Sequence, residues 1–415
     1  MNPASHLETE NTFDMARQPF PIRLANHLGK FLDDGFNLRI DLSQSQLIAT
    51  ARRKAKLYDF GENSYEEPLS IFLNSIEHES QINFMGRIML RQMVLTALTN
   101  RLLINAKISN SPDLLNSPID QPLFIVGYPR TGTTLLHNLL ALDPQNRTLK
   151  MYETLSPAAR NPVPSAHKDP RISQAERFIK ATHYISRHIS VIHPLSAKGP
   201  DECLKLIENT FISPHFMLYC HIPTYWAWLL EQKTCKFIPV YEYHRSQLQI
   251  LGKQKHEKRW VLKAPIHLFF IDALLKVYPD ARIIYLHRNP ASAIPSFCSL
   301  TAASRALASD VTDKKDIGSF AVDLYEESTK RAKQARNAGN SSALFYDVHY
   351  DDLLANPFKT IQNIYSFFGY AQPQDLEIHI NNWITHNPQN KHGKHHYSLE
   401  SYKLNTKSLE KLTKF

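Results

Sequence analysis

The sequence predicts an α/β fold: a parallel sheet flanked by helices, with a P-loop-like phosphate-binding turn after its first strand and a helical extension at its N-terminus. Three observations carry that prediction. Short apolar runs at 123–126, 260–262 and 282–286 read as strands buried on both faces. Stretches with helical spacing separate them, and strands alternating with helices build βαβ units and hence a parallel sheet. Glycine is only 12 of 415 residues, so the pair Gly127 and Gly132, directly after the first apolar run, carries information.

Taken in order, residues 1–60 are mixed, with weak helical patterning. From 65 to 108 the pattern is helical: Leu69, Phe72, Leu73 and Ile76 recur at helical spacing, as do Leu90, Met93, Leu95, Leu98 and Leu102. Ser109-Asn110-Ser111-Pro112 breaks the run. Residues 1–118 are read as the helical extension and 119–415 as the α/β domain. After the strand at 123–126, Leu135, Leu136, Leu139, Leu140 and Leu142 form a helical stripe that stops at Asp143-Pro144. Residues 145–255, rich in Pro, His and aromatics, are expected to be a largely helical insertion facing an acceptor. A strand at 260–262, a helix from His267 to Val277, a strand at 282–286 and a turn at Asn289-Pro290 follow, with a last strand at 343–346.

Composition removes several classes. Lys+Arg is 48 against 39 for Asp+Glu, a net charge of +9, which suits an anionic partner. The basic residues are scattered and form no nucleic-acid motif, so nucleic acid is not expected. No apolar run reaches the length of a membrane span, and the start MNPASHLETENTF lacks the basic and apolar regions of a secretory signal. Cys203, Cys220, Cys235 and Cys298 include no C-x-x-C pair, and no H-E-x-x-H occurs. The expectation is a cytoplasmic protein with no metal.

The phosphate site is the sharpest signal. Residues 127–134 follow the register G-x-x-x-x-G-K-[ST], with Gly127 and Gly132 at the glycine positions, Thr134 at the hydroxyl, Thr133 in place of lysine and Arg130 earlier in the loop. Successive N–H groups and the positive end of the following helix suit an anion. Magnesium-dependent P-loop enzymes place a carboxylate at a strand end. Here the strand ends carry Lys263 and His287-Arg288, and Asp347 is the one loose carboxylate candidate.

These residues resemble a known family. The segment 124–134 is similar to the 5′-phosphosulfate loop of sulfotransferases that use 3′-phosphoadenosine-5′-phosphosulfate (PAPS), and 288–296 resembles their 3′-phosphate element, an Arg followed eight residues later by a Ser. Segments 260–268 and 199–203 resemble the bacterial-type branch with a long helical N-terminus. The resemblance implies transfer of a sulfonate from PAPS, without a metal, to a hydroxyl of a lipid, polyketide or other small molecule. The loop lysine of the cytosolic steroid and phenol branch is replaced by Arg130.

It further implies that Gly127, Tyr128, Pro129, Arg130, Thr131, Gly132, Thr133 and Thr134 cradle the phosphosulfate. Lys263 assists Arg130, and Arg288 and Ser296 read the 3′-phosphate. Tyr350 would lie against adenine, or be a core tyrosine. Lys394 and His396, in the basic loop 391–398, would close over the nucleotide, or belong to a solvated tail. Glu202, His193 and His267 are the candidate bases, Glu202 foremost, because a partly apolar cleft raises a carboxylate's proton affinity. The aromatics of 211–230 (Tyr219, Tyr225, Trp226 and Trp228) would line an apolar acceptor pocket, or simply pack a core. Peripheral membrane contact is compatible with this reading, and the oligomeric state stays open. The rival readings are a P-loop small-molecule kinase and a non-catalytic nucleotide-binding relative.

Overall fold

A computed structural model describes residues 19–36, 38–159, 169–185, 195–252, 258–338, 344–388 and 399–412. Five parallel strands form one sheet: β1 (Leu123–Gly127), β2 (Asn146–Arg147), β3 (Arg259–Lys263), β4 (Arg282–His287) and β5 (Phe345–His349), in the order β2-β3-β1-β4-β5. β1 is buried along its whole length. Its alternating side chains feed two cores: Phe124 and Val126 pack on one face with Leu262 and Ile283, while Leu123 and Ile125 pack on the other with Val261 and Ile284. The chain leaves β1 toward β2 on one side and leaves β4 toward β5 on the other. The crevice beyond the carboxyl ends of β1 and β4 is therefore the topological switch point, where α/β sheets bind ligands.

Four helices precede the sheet: α1 (Phe20–Phe36), α2 (Gln44–Ala55), α3 (Glu66–Glu79) and α4 (Phe84–Asn110). The Asn83 side chain caps α4 by accepting from Gly86 N, and the helix ends at the expected Ser-Pro break. Residues from α2, α3 and α4 share one hydrophobic core with residues as late as Leu412. No helix among the described residues is long and apolar enough to cross a membrane.

The expected elements differ in places. The helix expected from His267 to Val277 is a 3-10 turn, Pro265–Leu268, followed by a helix Ile271–Val277; Phe269 and Phe270 between them are wholly buried. The last strand runs Phe345–His349 because its pairing with β4 continues through polar residues, Tyr285 opposite Asp347 and His287 opposite His349. β2, two residues long, has no apolar run to announce it. Tyr225 and Trp226 fill the core, with the Tyr225 hydroxyl donating to Phe211 O at 2.9 Å.

Candidate active site at the carboxyl ends of β1, β3 and β4

The loop after β1 enters helix α5 (Thr133–Leu140), whose N-cap is Gly132. Gly132 has φ +92, and a Cβ there would sit 2.7 Å from Tyr350 Cδ2. Only glycine combines that left-handed backbone with that close approach. Arg130 also adopts a left-handed conformation, φ +70, which a non-glycine residue takes at a cost of about 1–3 kcal/mol and which clusters at ligand sites. Thr131 braces the turn by donating its hydroxyl to Tyr128 O at 2.7 Å. Thr133 is buried and Thr134 exposed at the helix start. The loop thus has the shape of an anion cradle at a helix N-terminus.

A second arm comes from the end of β4. Arg288 Nη1 donates to Arg130 O at 2.7 Å, and its guanidinium lies 4.2 Å from the Tyr350 ring centre. Asn289 caps the next helix, Pro290–Arg305, by accepting from Ala291 N at 2.9 Å. That helix presents Ser296, whose Oγ accepts from Arg130 Nε at 3.1 Å. Arg130, Arg288, Ser296 and Tyr350 therefore stand together around the loop, although up to 220 positions separate them in sequence. Two guanidiniums here suit phosphate groups.

The third arm comes from β3. Lys263, only 2% exposed, donates from Nζ to Thr134 Oγ1 at 3.2 Å and forms an ion pair with the Glu202 carboxylate. The backbone fixes the same junction, since Cys203 N donates to Lys263 O at 2.9 Å. A buried ammonium therefore links the phosphate loop to a carboxylate on the far side. The partly apolar surroundings expected for Glu202 are replaced by this ammonium.

Two expected side chains lie elsewhere. The Tyr128 side chain points into the core: its hydroxyl donates to Ala321 O at 2.9 Å, and its ring meets Phe297 and Tyr325 edge-on. Only its backbone remains available to the loop. His267 is wholly buried. Its Nδ1 is 2.7 Å from the Tyr241 hydroxyl, its ring stands edge-on to Phe124, and burial, aided by His244 and Lys263, holds it neutral, well below the usual histidine range. It is a core residue and does not reach the crevice. His193, Lys394 and His396 lie outside the described residues.

His267, His244 and Cys203 bring one ligand atom each to within 4.8 Å of one another. Burial holds His244 down to about 3 and pushes the Cys203 thiol up.

One cluster beside the site escapes sequence reasoning. Lys205 Nζ is 2.7 Å from Glu208 Oε2, the His215 ring meets the other Glu208 oxygen at 2.5 Å, and the Tyr219 hydroxyl is 3.4 Å from Lys205. Burial would raise Glu208, but Lys205 and His215 hold it down to about 2. Burial pushes Tyr219 up to about 12, with the Glu208 and Glu202 charges adding to it against Lys205. The i, i+3 pair Lys205–Glu208 was a visible signal; its convergence with His215 was not.

Residues 122–374 match the profile of the Sulfotransferase family. Omega-hydroxy-beta-dihydromenaquinone-9 sulfotransferase Stf3 of Mycobacterium bovis and of Mycobacterium tuberculosis is 27% identical over 277 residues, 63% of this chain. The match spans 65% of the length of these curated relatives. Among solved structures, the sulfotransferase STF1 of Mycobacterium tuberculosis H37Rv superposes with a TM-score of 0.79 at 32% identity, covering 89% of this chain and 98% of that one. STF9 of Mycobacterium avium gives 0.80 at 25% identity, covering 91% and 96%.

Proposed function

We propose that this chain, which belongs to the sulfotransferase family, transfers a sulfonate group from PAPS to the hydroxyl of a lipid-like acceptor in the cytoplasm. The observation that carries the reading is the continuous array from Arg288 through the 127–134 loop and Thr134 to Lys263 and Glu202. Backbone donors, two guanidiniums and the Lys263 ammonium with its paired Glu202 carboxylate support this reading. The glycine cradle, the helix N-terminus and the guanidiniums fit a donor with several anionic groups.

In this reading the acceptor oxygen attacks sulfur, a new S–O bond forms, and the S–O bond to the 5′-phosphate breaks. The acceptor proton passes to a Glu202 carboxylate oxygen. Lys263, Arg130 and the loop N–H groups stabilise the charge that develops on the departing phosphate. Arg288 and Ser296 hold the 3′-phosphate, and Tyr350 positions the nucleotide. A kinase-type magnesium site gains no support from Asp347. Both its oxygens are engaged, by Arg336 at 2.9 and 2.7 Å and by His287 at 2.7 Å. The lipid-like acceptor rests on the menaquinone derivative named for Stf3.

The test is a thermal-shift titration with adenosine 3′,5′-bisphosphate in excess EDTA. Binding to the native state must raise the melting temperature, and Arg130→Ala must shrink the rise. No rise at saturating ligand, or a rise that needs Mg²⁺, would overturn the reading.

A further inference from the structure

Among the described residues, nothing covers an apolar stripe on α1. Phe20, Leu24, Leu28, Phe31, Leu32 and Phe36 share one face about 160° wide at helical spacing, and each is between 38% and 67% exposed. Leu38, just beyond the helix, is 62% exposed. The opposite face is what holds the helix to the protein. Ile22, Asn26 and Gly29 are buried, Asn26 Oδ1 accepts from Met85 N at 3.0 Å, and Gly29 admits the Phe84 ring. Six large apolar side chains in unbroken register exceed the scattered exposed leucines of an ordinary surface.

We propose that α1 is an interfacial helix that seats the protein on an anionic lipid bilayer. Charge supports that occupant. Arg23, His27 and Lys30 are exposed and flank the stripe, with exposed Asp34 among them and Asp33 paired to Arg39, and residues 20–58 hold seven basic side chains against three acidic ones. Four of the seven, Arg52, Arg53, Lys54 and Lys56, are exposed at the end of α2, which packs on α4 as α1 does. A Phe/Leu face bordered by Lys and Arg is the composition of helices that lie in the headgroup region.

The helix is anchored to the rest of the protein through the start of α4. α1 rests on the start of α4, and that start is tied to 308–310 through Asn83 N to Ala308 O at 2.8 Å and Asn83 Nδ2 to Asp310 at 2.6 Å. Arg305 Nε in turn reaches Met217 O at 3.0 Å, two residues before Tyr219. The inference concerns the surface and stands without an identified acceptor.

The experiment is flotation of the full chain with vesicles of phosphatidylcholine mixed with phosphatidylglycerol, against vesicles of phosphatidylcholine alone. The wild type should float with the anionic vesicles and less with neutral ones. A Phe20→Ser/Phe31→Ser/Phe36→Ser variant should lose about tenfold or more in partitioning. Arg23→Glu/Lys30→Glu should bind more weakly, with a smaller salt dependence. All five positions are exposed, so both variants should keep the bisphosphate thermal shift, which separates this test from that of the donor. Failure of the wild type to float, or flotation of the triple variant at the wild-type level, would overturn the proposal. So would a wild-type dimer that the triple variant makes monomeric with vesicle binding unchanged.

Discussion

The two sides of the crevice are built in opposite ways. In the proposed reaction the donor side is a contiguous loop with half-buried guanidiniums at its rim, Arg288 on Arg130 O and Arg130 on Ser296. The acceptor side is an ion pair between residues 61 positions apart, with its ammonium sealed at 2% exposure. A loop with a solvated rim can lose one side chain and remain folded. Losing Glu202 leaves a sealed ammonium without its carboxylate. Damage to the donor side should therefore appear as lost binding, and damage to the acceptor side as lost turnover and lost stability.

The largest expected effect sharpens that contrast. Glu202→Gln keeps the shape and removes the base, so turnover should fall roughly 10²–10⁴-fold while adenosine 3′,5′-bisphosphate binds normally. Steady-state rates with a binding isotherm check it, and a weakened isotherm would move Glu202 to the donor side. Lys263→Met should cost about 1–3 kcal/mol of stability by removing the buried ammonium that pairs with Glu202. The double variant with Glu202→Gln should recover most of that stability and none of the turnover. Equal melting of single and double variants in denaturant would break the ion-pair account.

Acid should find the same sealed region. His137 and His244 are held to about 3, and His267 well below the usual range, by burial first. Their native pKa lies below the unfolded value of about 6.5. Their contribution is therefore present above pH 6.5 and lost as pH falls toward 3, with a steepest slope of about 4 kcal/mol per pH unit for three protons. Melting temperatures that stay level from pH 7 to pH 5 would contradict this.

The donor side should respond more mildly. Arg288→Ala should erase the preference for adenosine 3′,5′-bisphosphate over AMP, a loss of about 10–100-fold for the first ligand, with AMP binding nearly unchanged. Equal losses for both ligands would make Arg288 a support of the loop alone. Tyr350→Leu, which removes the ring under Arg288, should cost the bisphosphate about 2–5-fold. A larger loss would give Tyr350 a direct hold on the nucleotide.

The same contrast decides what was legible in the sequence. The buried strand, the two glycines and the leucine stripe are contiguous, so the loop and its helix could be read directly. Lys263 and Arg288 could be read as strand-end cations. The pairing of Glu202 with Lys263 could not, because parallel crossovers bring distant strand ends together without leaving a local pattern. His267 shows the limit plainly: a histidine after a strand end looks alike in sequence whether it faces the crevice or, as here, Tyr241 behind the sheet. Tyr128 shows it within the loop itself, lending its backbone to the turn and its side chain to the core. The helical spacing of α1 was present in a region read as mixed, yet no periodicity tells which stripe of a helix stays uncovered.

In the proposed reaction the Glu202–Lys263 junction carries out sulfonate transfer beside the 127–134 loop. The most direct measurement is to incubate the full chain with sulfur-labelled PAPS and a lipid extract in excess EDTA, following label into the lipid-soluble fraction. The account predicts transfer by the wild type without metal, and its near-complete loss in Glu202→Gln that still binds adenosine 3′,5′-bisphosphate. Transfer by Glu202→Gln at the wild-type rate, or no transfer from PAPS while phosphate moves from ATP once Mg²⁺ is restored, would contradict it.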